Sequence, residues 1–184
     1  PGTSVSAGCV PAMPAAEVVD AHVLTQFRPA VREWFSASFS QPTRAQALGW
    51  HSLLAGDSTL ILAPTGSGKT LTAFLHCLDR LMFTPAPDPK ARCRVLYVSP
   101  IKALAVDVEK NLRAPLEGIA RQAEQRGDPF TRPQVAIRTG DTPAKERARF
   151  LRQSADILIT TPESLYLMLT SGARETLRHI ETVI

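Results

Sequence analysis

The stretch Ala63-Pro64-Thr65-Gly66-Ser67-Gly68-Lys69-Thr70 constrains the fold more than any other part of the sequence. It matches the phosphate-binding loop pattern, in which a small residue and four variable positions precede Gly-Lys-Thr. The run Ser58–Leu62 before the loop is apolar and β-branched, which predicts a buried strand. After the loop, apolar residues from Leu71 to Met82 recur at helical spacing. A strand, a glycine-containing loop and a helix therefore follow one another, as a phosphate site of this kind requires.

The residue types in the loop each suit the binding of a nucleoside triphosphate. Gly66 and Gly68 allow a tight turn that brings backbone N–H groups close to phosphate oxygens. We expect Lys69 to reach the β- and γ-phosphates of ATP and the Thr70 hydroxyl to bind Mg²⁺. These two are the predicted catalytic residues, and the predicted ATP contacts of the loop are Thr65, Gly66, Ser67, Gly68, Lys69 and Thr70. The alternative is a chance strand, turn and helix with an exposed lysine.

The composition restricts the class of protein. A chain of 184 residues with 44% hydrophobic and 21% charged residues suits one globular domain with a sizeable core. No apolar run approaches the roughly 20 residues needed to span a bilayer, so we expect no membrane association. The net charge of +4 weakly favours a polyanionic partner. The three cysteines have no metal-type spacing and favour a reducing cytoplasm.

The chain divides into two parts by composition. Residues 1–16 are rich in Pro, Ala, Gly and Ser and are expected to be a disordered tail, whereas residues 17–184 are expected to form one nucleotide-binding domain. The first residue is not Met, and the last four residues suggest a strand that is just beginning, so we expect a longer protein. Within the domain, Pro115 should end or kink the helix that starts near Ile101. Thr142 should cap a helix that Pro143 opens.

Alternating strands and helices define the predicted fold class. Strands at residues 94–99, 134–138 and 155–160 are separated by helical segments, which predicts an α/β fold: a parallel sheet in three layers, with helices on both faces. In such sheets, ligands bind beyond the carboxyl ends of the strands. The phosphate loop and three polar turns, at residues 99–104, 139–142 and 160–164, are therefore expected along one edge of the domain.

Gln46 has two possible roles in this pattern. Thr43 is a good N-cap and Gln46 lies three residues later, as in a capping box. The Gln46 amide could instead pair with adenine, because it can donate and accept along one edge of the base. The sequence alone leaves both roles open.

The three polar turns could hold a nucleic-acid backbone. Each begins a helix, and a helix N-terminus can bind phosphate without reading sequence. The alternative is that they are ordinary capped junctions and that Lys102 is a solvated helix residue. The candidate nucleic-acid contacts are Pro100, Lys102, Thr139, Gly140, Thr160, Thr161 and Ser164.

The order of these motifs resembles a known family. Gln-Pro-Thr-x-x-Gln at 41–46, the loop at 63–70, Ser-Pro-Ile-Lys-Ala-Leu at 99–104, Thr-Gly-Asp-Thr at 139–142 and Thr-Thr-Pro-Glu-Ser at 160–164 resemble the first RecA-like domain of a superfamily 2 helicase of the DEAD/DEAH type. The sequences of the turn after residue 99 and of the segment at 160–165 are similar to those of the Lhr (large helicase-related) family. The resemblance covers residues 39–184, nearly all of the predicted domain.

The resemblance implies a P-loop NTPase fold and a role for each motif. Gln46 would belong to an adenine-reading motif, with Phe39, Phe27 or Trp34 stacking on the base, and the three turns would hold single-stranded DNA or RNA. The intact protein would hydrolyse ATP, move 3′-to-5′ on single-stranded DNA and take part in repair. The family's acidic Asp-Glu box should follow immediately after Ile184, and a second RecA-like domain should follow in the same chain. This stretch alone should hydrolyse ATP hardly at all.

Two other functional classes remain compatible with the loop. A small kinase would use the same loop with a substrate pocket and no affinity for a polynucleotide. A non-catalytic nucleotide-binding module would lack the acidic box altogether.

Overall fold

The computed structural model describes residues 21–184 of the chain. The predicted disordered tail, residues 1–16, lies outside the described residues. The described part opens with a 3₁₀ turn over Ala21–Gln26, and a second one covers Gly172–Leu177. The six α-helices of this part are α1 Pro29–Ser38, α2 Arg44–Leu54, α3 Lys69–Phe83, α4 Lys102–Arg126, α5 Ala144–Arg152 and α6 Pro162–Leu169.

A parallel sheet forms the middle layer. Its strands are β1 Val95–Val98, β2 Val135–Arg138, β3 Ile157–Thr160 and β4 Thr182–Val183, in the order β2-β3-β1-β4. Val98 pairs with Thr160 and Arg138 pairs with Thr160, so β1, β2 and β3 end at the same level. The turns that follow these three strands therefore lie side by side at one edge, as the sequence predicts.

Helices cover both faces of the sheet, because successive β3 side chains pack into two different apolar clusters. Ile157 and Ile159 pack into the larger apolar cluster with α1, α2, α3 and α4. Leu158, between them, packs into the smaller cluster with Phe150 of α5 and Met168 of α6. All three β3 residues are fully buried, because a central parallel strand is covered on both sides. The predicted three-layer α/β fold is confirmed.

The predicted strand at residues 58–62 is wrong. The segment has no strand hydrogen bonds, and its Leu60 and Leu62 side chains are 82% and 85% exposed. A strand exists only where neighbouring backbone groups pair with it. Within the described residues, β4 pairs with β1 and with no other strand, so this segment has no strand partner. Its apolar, β-branched composition is not sufficient by itself.

The sequence predicts that Pro115 ends or kinks its helix. α4 runs without a break through Pro115 and ends at Arg126, and its cap residue Gly127 has a φ of 71°. Leu112 before the proline and Ile119 after it are buried against the rest of the core. Burial on both sides outweighs a proline penalty of about 3 kcal/mol. The predicted end at Pro115 is therefore wrong.

The expected cap of α5 is also wrong. Pro143, not Thr142, occupies the cap position, and no side chain caps this helix. The Thr142 hydroxyl instead accepts a hydrogen bond from the Thr139 backbone N–H at 2.8 Å. The hydroxyl therefore closes the turn that precedes the helix.

Candidate functional site

The phosphate loop joins a segment without regular structure to the N-terminus of α3. Gly66 and Gly68 have φ values of 83° and 81°, in the left-handed region that only glycine enters freely. Gly68 is the cap residue of α3, so the loop leads directly into the unpaired N–H groups of a helix start. The backbone thus has the shape and the donors that an anion site needs.

Lys69 lies at the mouth of this loop. Its ammonium donates hydrogen bonds to the carbonyl oxygens of Ala63 and of Pro64, the second at 2.7 Å. Both acceptors belong to the loop itself, and neither is a carboxylate. A phosphate oxygen is a stronger partner for an ammonium than a neutral carbonyl. The Lys69 ammonium can therefore exchange these carbonyls for phosphate without leaving a buried charge unpaired.

Two hydroxyls test whether the loop suits a nucleotide with a metal ion. The Ser67 Oγ is buried and has no hydrogen-bond partner in the described chain. A buried polar atom without a partner costs free energy unless a ligand satisfies it. Thr70 is exposed, and it lines a groove of about 550 Å³ with Lys69 and the end of the sheet at Thr182–Ile184. Both hydroxyls suit phosphate and Mg²⁺ bound at this place.

Gln46 does form the capping box. Its backbone N–H donates to the Thr43 hydroxyl at 3.3 Å, and its Oε1 accepts from the Thr43 backbone N–H at 2.9 Å. The residue is 3% exposed, and a Cβ on Gly68 would overlap with its amide. The Thr43 hydroxyl donates in turn to the Ser67 carbonyl oxygen at 2.8 Å. The capping box is therefore bonded directly to the phosphate loop.

Of the three aromatic residues considered for stacking, Phe39 alone is exposed. Phe27 and Trp34 are 2% and 8% exposed, whereas Phe39 is 42% exposed. The Phe39 ring packs against Phe35 with centroids 4.9 Å apart, which leaves its outer part to solvent. Phe27 and Trp34 belong to the core. Neither Phe39 nor Gln46 lines the groove that Lys69 and Thr70 share.

Lys102 brings the three polar turns together. Its ammonium lies 2.6 Å from Asp141 Oδ2 in the second turn. The charge of Lys102 also contributes to lowering the pKa of Glu163 at the start of α6, after hydrogen bonds to the Glu163 backbone and to Thr161. A Cβ placed on Gly140 would lie 3.9 Å from the same ammonium, so the backbone of the second turn is close to Lys102. The turns predicted to act together are therefore neighbours in the structure.

The hydroxyls of the third turn are engaged within the protein. Thr160 is fully buried and donates to the Arg138 carbonyl oxygen at 2.7 Å. Thr161 caps α6 by accepting from the Ser164 backbone N–H at 3.4 Å, and Ser164 is 6% exposed. Pro100 is exposed in the first turn, and Thr139 is half-buried in the second. The turns thus present backbone and cations more than free hydroxyls.

Three polar residues near these turns are not among the contacts predicted from the sequence. Asp141 and Glu163 balance Lys102, and Arg138 stands directly before Thr139 with a buried guanidinium nitrogen that has no partner. A signal existed only for Glu163, an acidic residue in the first turn of a helix. The other two depend on distances between strands, which one sequence does not contain.

Neither a metal cluster nor a membrane helix is found in the described part of the chain. Residues 21–184 contain no group of three or more His, Cys, Asp or Glu side chains that could hold a metal ion. No helix among them combines the length and apolarity required to cross a bilayer.

The known proteins to which this chain is similar in sequence are helicases. A family model described as DEAD/DEAH box helicase matches residues 43–184. The Lhr helicase/uracil glycosylase of Escherichia coli is 55% identical over 163 residues, which cover 86% of this chain and 11% of that protein. The ATP-dependent helicase Lhr-Core of Methanocaldococcus jannaschii is 38% identical over 156 residues, covering 84% of this chain and 18% of that protein.

Solved structures show the same similarity. The helicase Lhr of Mycobacterium smegmatis, bound to ssDNA and AMP-PNP, matches with a TM-score of 0.81 and 54% identity, over 88% of this chain and 20% of that one. The yeast DEAD-box splicing factor Prp28 matches with a TM-score of 0.66 and 20% identity, over 88% of this chain and 35% of that one. This second likeness concerns the fold alone. The chain spans about a tenth of the length of its bacterial Lhr relatives, 11% in the Escherichia coli protein.

Proposed function

Because the chain belongs to the DEAD/DEAH box helicase family and is similar in sequence to the Lhr helicases, we propose that its full-length protein is an ATP-dependent helicase. The protein hydrolyses ATP to move along single-stranded nucleic acid and to separate strands. The reaction is phosphoryl transfer to water, in which positioning and charge neutralisation provide nearly all of the catalysis.

One observation carries this proposal most directly. The three turns after β1, β2 and β3 lie side by side, and Lys102 contacts the second turn and lies near the third. A small kinase has no use for such a row of helix N-termini. Such a row suits a chain of phosphates spaced along a single strand.

The ATP site has the following proposed roles. Lys69 neutralises charge on the β- and γ-phosphates, and the backbone of Thr65, Gly66, Ser67 and Gly68 surrounds them. Thr70 is the residue that would hold Mg²⁺, which supplies further neutralisation at the phosphates. Gln46 reads adenine and Phe39 stacks on it, since Phe39 has the exposed ring. The Asp-Glu box and a second RecA-like domain of the longer chain complete the site.

The strand site is assigned to the three turns. Pro100, Lys102, Thr139, Gly140, Thr160, Thr161 and Ser164 form the contact surface, mainly through the backbone of their turns. DNA is the proposed strand, because the Mycobacterium smegmatis relative at 54% identity is bound to ssDNA. We extend the proposal to 3′-to-5′ movement, a repair-related role and a cytoplasmic location, in keeping with the resemblance to Lhr proteins.

Two substitutions separate the ATP site from the strand site in the full-length protein. Lys69→Ala should lower ATP turnover by about 10²-fold or more, since a charge that stabilises the transition state is lost. Strand binding and thermal stability should stay unchanged, because Lys69 bonds only to two loop carbonyls. Thr161→Ala should weaken single-stranded DNA binding more than nucleotide binding. ATP turnover and fluorescence anisotropy with labelled oligonucleotides provide the two measurements.

Matched controls exclude general effects of charge and capping. Lys110→Ala removes an exposed lysine from α4 and should leave turnover intact. Ser171→Ala removes another capping hydroxyl, which accepts from the Ala173 backbone N–H at 3.3 Å, and should leave strand binding intact. The roles are wrongly assigned if Lys69→Ala affects only strand binding and Thr161→Ala affects only nucleotide binding.

A further inference from the structure

A second groove runs along the outer edge of the sheet. It has a volume of about 430 Å³ and lies between β2 and α5, away from Lys69 and Thr70. β2 is the edge strand, so its outer backbone faces this groove. The carboxyl end of β2 contributes Arg138, and α5 contributes Arg147 and Arg149. No motif recognised in the sequence accounts for these side chains.

Arg138 is the residue that most needs a partner. Its Nη1 is buried without a hydrogen bond, and no carboxylate of the described chain pairs with its guanidinium. Burial and the neighbouring charge of Arg147 both lower the pKa of Arg138. An unpaired buried donor costs about 1–3 kcal/mol or more when it is charged, and an oxygen anion in the groove would recover this free energy.

Positive charges outnumber negative charges around Arg138, which favours the binding of an anion in the groove. Arg147 is exposed, and its Nε donates to the Thr142 carbonyl oxygen at 2.8 Å, which fixes its guanidinium beside the turn. Glu109 reaches the groove from α4, but Arg113 binds both of its carboxylate oxygens at 3.0–3.1 Å. Glu146 is the remaining carboxylate, and three cations of the groove outnumber it.

We propose that Arg138 and Arg147 form a seat for one phosphodiester group of the bound nucleic-acid strand. The seat extends the strand path beyond the turn at residues 139–142 and onto the edge of the sheet. This inference rests on the proposed function, because it assigns an additional contact for the same strand. Planar guanidinium groups suit this role, since two parallel N–H donors match two phosphate oxygens.

The position of the two arginines favours a nucleic-acid strand over an acidic peptide. Arg138 directly precedes Thr139, and Arg147 is bonded to Thr142, so the arginines lie at the two ends of the turn that the strand site already contains. A peptide added to the edge of β2 would bond to backbone groups and would not need this pair. A nucleic-acid strand that extends beyond the turn would next contact Arg138 and Arg147.

The test measures how the affinity of the full-length protein for a fluorescein-labelled oligothymidylate depends on salt. Each phosphate contact to a single strand contributes about 0.7 to the slope of log K against log salt concentration. The double variant Arg138→Gln/Arg147→Gln should lose about 0.7 of that slope and bind about ten-fold more weakly at low salt. Arg147→Gln alone should lower the slope and the affinity in the same direction, and because Arg147 is exposed this substitution should leave the fold intact.

Arg152→Gln is the matched control for Arg147→Gln. It removes one positive charge from the same helix, α5, but from a position outside the groove. The wild-type slope in the double variant would overturn the proposal, as would an equal loss of slope in Arg152→Gln, which would indicate diffuse attraction only. Competition by poly-glutamate that depends on Arg138, without a change in oligonucleotide slope, would overturn it in favour of an acidic peptide. Failure of the wild-type protein to bind any oligonucleotide would overturn the proposed function as well, so the two failures are distinguishable.

Discussion

The Gln46 side chain contacts both the start of its own helix and the phosphate loop. Its Oε1 completes the capping box with Thr43, while its amide nitrogen lies against Gly68 of the phosphate loop. The two roles that the sequence left open are therefore compatible, since one amide group has both an acceptor and a donor. The cap is formed in the structure, and the adenine contact is a proposal that a substitution can test.

Gln46→Glu separates the two roles. A glutamate at this position keeps the acceptor for the Thr43 backbone N–H and can still form a capping box, but it has no amide donor. We expect thermal stability to stay unchanged while the preference for ATP over GTP falls, because only the donor is lost. Nucleotide affinities measured by competition against a fluorescent ATP analogue provide the check.

Gln46→Ala is the companion variant, since it removes cap and donor together. It should lose the ATP preference and also about 1 kcal/mol of stability, the usual cost of a lost cap. An unchanged preference for ATP in both variants would restrict Gln46 to capping.

The helices and strands show which parts of the fold the sequence could predict. A helix such as α1, Pro29–Ser38, can be predicted from sequence because its opening proline and its buried apolar face both lie within one segment. The segment 58–62 and Pro115 fail for the same reason: their outcome depends on other segments. Leu60 and Leu62 lack a neighbouring strand, whereas Leu112 and Ile119 hold α4 together around its proline.

The candidate site divides in the same way. The phosphate loop and the order of the turns are local patterns, so Lys69, Thr70 and the residues of the turns could be named in advance. The Thr43–Ser67 bond and the Lys102–Asp141 pair join residues 24 and 39 positions apart, and the unpaired state of Arg138 depends on an entire groove. Distances of this kind arise from the folded sheet and have no pattern in a single sequence.

Asp156 joins the amino ends of three strands. Its Oδ2 accepts from Arg92 Nε at 2.8 Å and from the Gln134 backbone N–H at 2.7 Å, and its Oδ1 lies 3.6 Å from Arg94 Nη2. The Asp156 side chain is 2% exposed. This buried group fixes the start of β1, β2 and β3 relative to one another, opposite the edge that carries the candidate site.

Asp156→Ala should therefore destabilise the domain strongly. Removing one partner of a buried ion pair costs about 3–5 kcal/mol, because the remaining charges stay buried without compensation. The free energy of unfolding, obtained from urea titration, provides the measurement. Glu117→Ala is the control: its pair with Arg132 is exposed, and such pairs contribute about 1 kcal/mol or less. Equal losses in the two variants would contradict the structural role of Asp156.

Two buried cysteines should make the stability of the domain depend on pH. Burial raises the pKa of the Cys77 thiol to about 11, and burial followed by the charge of Asp156 raises that of Cys93 to about 12. Both folded-state values exceed the ordinary value of 9.0, so the folded state retains these protons longer than the unfolded state. Their contribution to stability is complete below pH 9 and decreases as the pH rises from there.

The free energy of unfolding should accordingly fall as the pH rises from 9.0 towards 11, the interval between the ordinary thiol pKa and the folded-state pKa of Cys77. The double variant Cys77→Ala/Cys93→Ala should show a smaller fall over the same range, although it is less stable throughout. Urea titrations at several pH values measure both slopes. Identical slopes would show that the thiols do not govern this dependence.

The central proposal is that the phosphate loop binds ATP, while the three turns that lie side by side at one sheet edge hold a nucleic-acid strand. It predicts that ATP hydrolysis by the full-length protein rises several-fold when single-stranded DNA is added, and that Lys69→Ala abolishes both the basal and the stimulated rate. A steady-state ATPase assay with and without oligonucleotide is the most direct measurement. Hydrolysis that no nucleic acid stimulates, with Lys69 intact, would contradict the account.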